Sequence, residues 1–304
     1  MKQPRAPEKN PFEGVIIAAV TPRRESETSI DLAATLELID HLACCGPSAI
    51  ALLGSTGEFV HFALDDRRHM ANFAVKRSRV PILVNVSHST LDGAVELARE
   101  AATSGASGVL LMPPYYFRYD GESIKRFYWE FMRRTGRRLP VLLYNIPQFT
   151  SEIPICAARE LLSSGEFAGI KDSSGSWDYF LALHDQSIKT PFAVLVGSDG
   201  LYAKARRAGA HGVVSGIASA IPELLGALER AITTGDEARI ALLDGRLGEF
   251  IAQIEHLPAP MGIKEAVNVR KWRAGSMAVP PSPQQATFAE WFRDWLPGVL
   301  KESA

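Results

Sequence analysis

The feature that most restricts what this chain can fold into is a series of eight short runs dense in Val, Ile, Leu and Ala. They read VIIAAVTP (15–22), AIALLGSTGE (49–58), PILVNVS (81–87), GVLLMPP (108–114), PVLLYNIP (140–147), AGIKDSSG (168–175), FAVLVGSD (192–199) and GVVSGIAS (212–219), with starts 20 to 34 residues apart. Each run is apolar throughout rather than alternating, which suits strands covered on both faces in a parallel sheet. Helix-like stretches lie between them: 32–43, 66–78, 92–105, 123–136 and 155–165, several ending in Gly as helix C-termini do. Eight strand–helix units that close on themselves form a (β/α)8 barrel. The alternative is an open, doubly wound sheet, but no GxGxxG or GxxxxGK[ST] follows any run. The expected fold is α/β, a TIM barrel over residues 11–226. After Ile221-Pro222 the strand signal stops. Residues 227–304 read as a helical extension with a Pro-rich connector at 278–285, and apolar faces there point to an oligomer.

Composition narrows the function. The 304 residues can bury a large core without disulfides or metal. Lys and Arg number 33 against 34 Asp and Glu, a net charge of −1 with no basic stripe, so nucleic acid and anionic membrane surfaces are poor partners. No apolar run is long enough to span a bilayer. The first dozen residues show no apolar core of a secretory leader, and Cys44, Cys45 and Cys156 make no disulfide framework. A reducing cytoplasm is the expected compartment. The seven histidines form no HExxH, and no metal is expected.

Barrel enzymes carry their chemistry at the C-terminal strand ends. That rule nominates Thr21, Ser55, Thr56, Glu58, Asn85, Ser87, His88, Tyr115, Tyr116, Tyr144, Asn145, Lys171, Asp172, Ser198, Asp199 and Ser215. Lys171 stands out, at the edge of the sixth run. A lysine in an apolar rim loses hydration of its ammonium form, which frees the amine to attack carbonyls. The plainer reading pairs it with Asp172 at the protein surface. Lys264, in MGIKEAV, has similar flanks but falls on a helix outside the barrel. Tyr144 ends the fifth run, and neighbouring strands lie about 4.8 Å apart. Its phenol is thus placed to move protons beside the amine, or simply to pack with one hydrogen bond. In Gly54-Ser55-Thr56-Gly57-Glu58, two hydroxyls and backbone N–H groups can hold a carboxylate, while Ser55-x-x-Glu58 also reads as a capping box for the next helix. The Gly-rich stretches GSDG and GAHGVVSG leave a phosphate-binding barrel as a further alternative.

The order of G-S-T-G-E (54–58), P-Y-Y (114–116), Y-N-I-P (144–147), G-I-K-D-S-S-G (169–175), G-S-D (197–199) and G-V-V-S (212–215) resembles the dihydrodipicolinate synthase / N-acetylneuraminate lyase family. The resemblance implies a pyruvate-dependent enzyme without cofactor, assembled as a homotetramer of tight dimers. It implies that Lys171 forms the Schiff base, that Tyr144 transfers protons and that Ser55 and Thr56 hold the pyruvate carboxylate. It further implies that Ser55 joins the proton relay and that Tyr116 reaches into the neighbouring site, with Tyr115 as an interface residue. Gly54, Val214, Phe149, Ser198 and Asp199 complete the implied substrate site. Two departures narrow the activity. Phe149 stands where the synthases carry an arginine for the carboxylate of aspartate semialdehyde, and a phenyl ring cannot form that bidentate pair. Gly200 stands where the sialic acid lyases carry an acidic residue. Leu64 and Arg67 fall where the lysine-regulated synthases carry histidines, so feedback by lysine is not expected. The expectation is a class I aldolase acting on pyruvate or a pyruvate-derived 2-oxo acid, of the 2-keto-3-deoxy sugar acid type. The alternatives are 4-hydroxy-tetrahydrodipicolinate synthesis and a non-catalytic 2-oxo acid binder.

Overall fold

Every residue of the eight strands is buried, as in a sheet that leaves no open edge. In the computed structural model, which describes residues 10–24 and 29–302, the strands are β1 (Gly14–Ala18), β2 (Ala49–Leu52), β3 (Ile82–Asn85), β4 (Gly108–Leu111), β5 (Val141–Asn145), β6 (Gly169–Asp172), β7 (Ala193–Val196) and β8 (Gly212–Ser215). Each pairs in parallel with its chain neighbours, and β8 pairs with β1 to close the barrel. The seam rests on two glycines. Gly14 and Gly212 are register partners, and a Cβ on Gly212 would lie 2.0 Å from the Gly14 carbonyl oxygen. The early N-terminal segment, read above for a leader, lies through residue 9 outside the described residues.

Helices α1 (Leu32–Cys44), α2 (Leu64–Arg77), α3 (Leu91–Ser104), α4 (Gly121–Thr135), α5 (Ile155–Ser163), α6 (Trp177–Lys189), α7 (Tyr202–Arg207) and α8 (Pro222–Thr234) alternate with the strands. Local chemistry sets their ends. Asp31, Thr90, Asp120 and Ser176 accept backbone N–H groups as N-caps of α1, α3, α4 and α6. Gly105, Gly136 and Gly235 end α3, α4 and α8 in the left-handed conformation.

Beyond α8 come α9 (Glu237–Ile254), α10 (Met261–Val269) and α11 (Pro283–Glu302). They form the helical extension, and parts of it fold back over the barrel. Helix α9 brings Ile251 and Ile254 to the mouth of the barrel, and residues 258–261 and 277–281 overhang its β2 side. Among the described residues no helix is long and apolar enough to cross a membrane.

Candidate active site

The site begins with a register. Strands β5 and β6 pair so that Tyr144 lies opposite Lys171, and Asn145 opposite Asp172. Successive strand residues point to opposite faces, so the two pairs separate. Lys171 and Tyr144 turn to the mouth, where the lysine Nζ sits 4.1 Å from the centroid of the tyrosine ring. Asp172 turns the other way. It accepts Asn145 Nδ2 at 2.8 Å and Ser174 Oγ at 2.8 Å, and Asn145 Oδ1 in turn accepts the Ile153 N–H. Burial raises the Asp172 carboxyl above its usual range. The surface pairing of Lys171 with Asp172 is therefore excluded: Lys171 is 6% exposed and its neighbour's carboxylate is spent on Asn145 of β5 and Ser174 of the loop after β6.

Lys171 needs room, and Gly197 supplies it. A Cβ at position 197 would meet Lys171 Cε at 2.9 Å and Ser173 Oγ at 2.0 Å. Tyr144 is 2% exposed, and its hydroxyl lies 3.1 Å from Ser55 Oγ. Lys171, Tyr144, Ser55, Thr56, Val214, Ser198 and Asp199 border one cavity of about 310 Å³, closed on one side by Ile251 and Ile254 of α9. Asp199 Oδ1 is buried with no hydrogen-bond partner, and burial pushes its carboxyl up to about 6. Of the other residues nominated from sequence, Gly54 is buried in its loop and lines neither this cavity nor the one beside it. Tyr116 is 88% exposed, stacks edge-on against Phe117 and lines neither cavity.

The loop that presents Ser55 and Thr56 is strained at both ends. Leu53 has φ 58° and Glu58 φ 51°, a region that non-glycine residues rarely adopt and that surrounding structure must enforce. Two anchors enforce it. Asn85 Nδ2 donates to the Leu53 carbonyl at 2.6 Å. At the other end Glu58, 4% exposed, accepts Lys264 Nζ at 2.7 Å and the Ala278 N–H at 3.2 Å, with Arg23 Nη2 3.8 Å away. Lys264 also donates to the carbonyls of Ser276 (2.6 Å) and Thr21 (3.4 Å).

This corrects two expectations. Glu58 is no capping-box residue: Phe59–His61 form a 3-10 turn with no side-chain cap, and α2 starts only at Leu64. Lys264 is not outside the structure that matters: it is 1% exposed, and burial lowers the pKa of its amine even though Glu58 opposes the shift. Sequence reasoning missed this clamp because its members lie 206 residues apart. Arg67 has a comparable structural task. It is buried, donates to the carbonyls of Asn85 and Ser87 and lies over the Phe59 ring, with burial bringing its guanidinium down to about 10. His88, another nominated residue, bonds Thr90 at the start of α3.

Beside the lysine cavity, and sharing Ser55 with it, opens a second cavity of about 530 Å³ lined by Phe59, Met112, Tyr115, Phe149, Met261 and Met277 among others. Tyr115, expected at an interface, packs edge-on against Phe59 within the chain, 5.7 Å between ring centroids, and forms part of this wall.

Fold and site together define a (β/α)8-barrel enzyme whose candidate residues gather at the C-terminal ends of β5 and β6 and in the loop after β2. The Dihydrodipicolinate synthetase family matches residues 11–290. The 4-hydroxy-tetrahydrodipicolinate synthase of Methanococcoides burtonii is 28% identical over 276 residues, 90% of this chain and 94% of that one. Among solved structures, the prophage protein YagE of E. coli K12, in complex with pyruvate, aligns at 26% identity and TM-score 0.86, covering 95% of this chain and 98% of that chain. The 2-keto 3-deoxygluconate aldolase of Picrophilus torridus aligns at 26% identity and TM-score 0.82, covering 88% and 96% respectively. The chain belongs to the dihydrodipicolinate synthetase family of pyruvate-dependent lyases and synthases.

Proposed function

We propose that this enzyme breaks or forms the C3–C4 bond of a 2-oxo-4-hydroxy acid, releasing or consuming pyruvate through an imine on Lys171. The observation that carries the reading is the Tyr144–Lys171 register with Ser55 Oγ 3.1 Å from the Tyr144 hydroxyl. The Lys171 amine adds to the C2 carbonyl, and the carbinolamine loses water to give the imine. Tyr144, relayed through Ser55, supplies and removes the protons of these steps. The protonated imine then draws electrons from C3. A base removes the C4 hydroxyl proton, the C3–C4 pair moves into the imine to give an enamine, and an aldehyde departs. Protonation at C3 and hydrolysis by water return pyruvate and the free amine. Ser55 and Thr56 hold the carboxylate at the same cavity.

The likeness to the 2-keto 3-deoxygluconate aldolase supports this bond as the one made or broken. Condensation of pyruvate with aspartate semialdehyde is the second reading, favoured by the names of the curated relatives. Against it, no lysine or arginine lines the cavity around Phe149 among the described residues, so no permanent cation stands there to pair the semialdehyde carboxylate. Arg118, the nearby candidate, donates to the carbonyls of Thr150 and Pro147 instead. Tyr116 and Phe117, both exposed and edge-on to each other, support an oligomer built on this face.

Borohydride reduction in the presence of pyruvate tests the mechanism. The wild type should gain the mass of a reduced pyruvyl adduct on Lys171, and Lys171→Ala should gain none while keeping its circular dichroism spectrum. An unmodified wild type would remove the imine.

A further inference from the structure

We infer that the 530 Å³ cavity beside Ser55 is a subsite for an aryl or other bulky apolar tail on the aldehyde half of the substrate. The inference rests on the imine reading above and specifies the substrate class that reading leaves open. Its first support is position. Ser55 borders both this cavity and the one that holds Lys171. A 2-oxo acid anchored at Lys171 with its carboxylate at Ser55 and Thr56 therefore has this space within reach of its far end.

The second support is chemistry. Phe59, Met112, Tyr115, Phe149, Met261 and Met277 present rings and thioethers, which adapt to flat apolar guests. The one carboxylate in the wall, Glu58, is already committed to Lys264 and the Ala278 N–H. For a polyhydroxylated tail the remaining polar side chains on the wall are Ser55, His61, Gln285 and the Tyr115 hydroxyl, set among rings, thioethers, prolines and aliphatic groups, and each hydroxyl left unpaired there is costly. A phenyl tail loses nothing there.

The third support is size. An apolar cavity of about 150 Å³ is enough to hold benzene, so about 530 Å³ accommodates a substituted ring. Phe149 is 58% exposed at the rim, a large apolar face left open where the tail would enter.

The test compares pyruvate release from 4-hydroxy-2-oxo-4-phenylbutanoate and from 2-keto-3-deoxygluconate, with adduct trapping on Lys171 run alongside. The phenyl substrate should be preferred in kcat/KM by at least about 10-fold, the lower end of what a filled apolar pocket discriminates. Phe149→Arg should abolish that preference, and Phe149→Leu should retain most of it. Adduct formation with a preference for the sugar acid would overturn the subsite and leave the imine reading standing. Failure to form the adduct would overturn both. A cavity filled instead by side chains of a second copy would give equal kcat/KM for the two substrates, with Phe149→Arg dissociating the oligomer in sedimentation velocity; that result also overturns the proposal.

Discussion

Replacing Lys264 by Met should damage both stability and pyruvate binding, although residue 264 touches neither cavity. Lys264 is 1% exposed, and its ammonium makes three contacts: Glu58 Oε2 at 2.7 Å, the Ser276 carbonyl at 2.6 Å and the Thr21 carbonyl at 3.4 Å. Removing one member of a buried, hydrogen-bonded ion pair costs about 3–5 kcal/mol because the other charge stays buried. Two carbonyls also lose a donor, at about 1 kcal/mol each. Set against this, Glu58 keeps the Ala278 N–H and the more distant Arg23. The net expectation is a loss of about 3–5 kcal/mol at pH 7.5. The sign of its pH dependence follows from what remains. A carboxylate stranded in the core gains by taking up a proton, so the variant's deficit relative to wild type should shrink as pH falls from 8 to 5.5. Urea unfolding at several pH values, at one fixed protein concentration, measures it. The same change should raise KM for pyruvate and slow Lys171 trapping, because Glu58 holds the end of the loop carrying Ser55 and Thr56. A loss below about 1 kcal/mol, the worth of an exposed pair, or one independent of pH would refute the clamp.

Tyr144→Phe should keep pyruvate binding and lower kcat by roughly 10²–10⁴, the usual worth of a positioned acid or base; a steady-state rate near wild type would assign the protons to another group. Asp199 gives a pH signature. Its folded carboxyl holds a proton up to about 6, whereas an unfolded aspartate releases it near 3.9, so the native state binds more protons between those values. Stability should therefore fall as pH rises from about 4 to about 6, and Asp199→Asn should flatten that slope in thermal melts. A slope unchanged in the variant would place the titration elsewhere.

The eight strands and the place of Lys171 and Tyr144 were legible because the relevant signals are local. A strand buried on both faces must be apolar along its whole length, and its polar terminus marks where the mouth begins. Adjacent runs become adjacent strands, so two residues ending the fifth and sixth runs meet by register alone. Helix ends were legible for the same reason, since Gly105, Gly136 and Gly235 carry their conformational freedom with them. Helices α6 and α7 gave a weaker signal; α7 has only 6 residues and follows a 3-10 turn.

The Ser55–Glu58 spacing shows where locality misleads. It matches a capping box, yet Leu53 and Glu58 are both forced to positive φ by groups from β3, α10 and the segment before α11. No pattern within five residues encodes a partner 206 positions away. The apolar cavity has the same origin: Phe59, Met112, Phe149 and Met261 come from four separate parts of the chain, and each alone reads as an ordinary core or loop residue. By itself the sequence determined the barrel, the amine and the phenol, because burial and strand order are written in short-range patterns. Closure of the ring and the fold-back of the last helices decided the clamp on the loop carrying Ser55 and Thr56 and the shape of the second cavity, because both are made of contacts that exist only once distant segments are brought together.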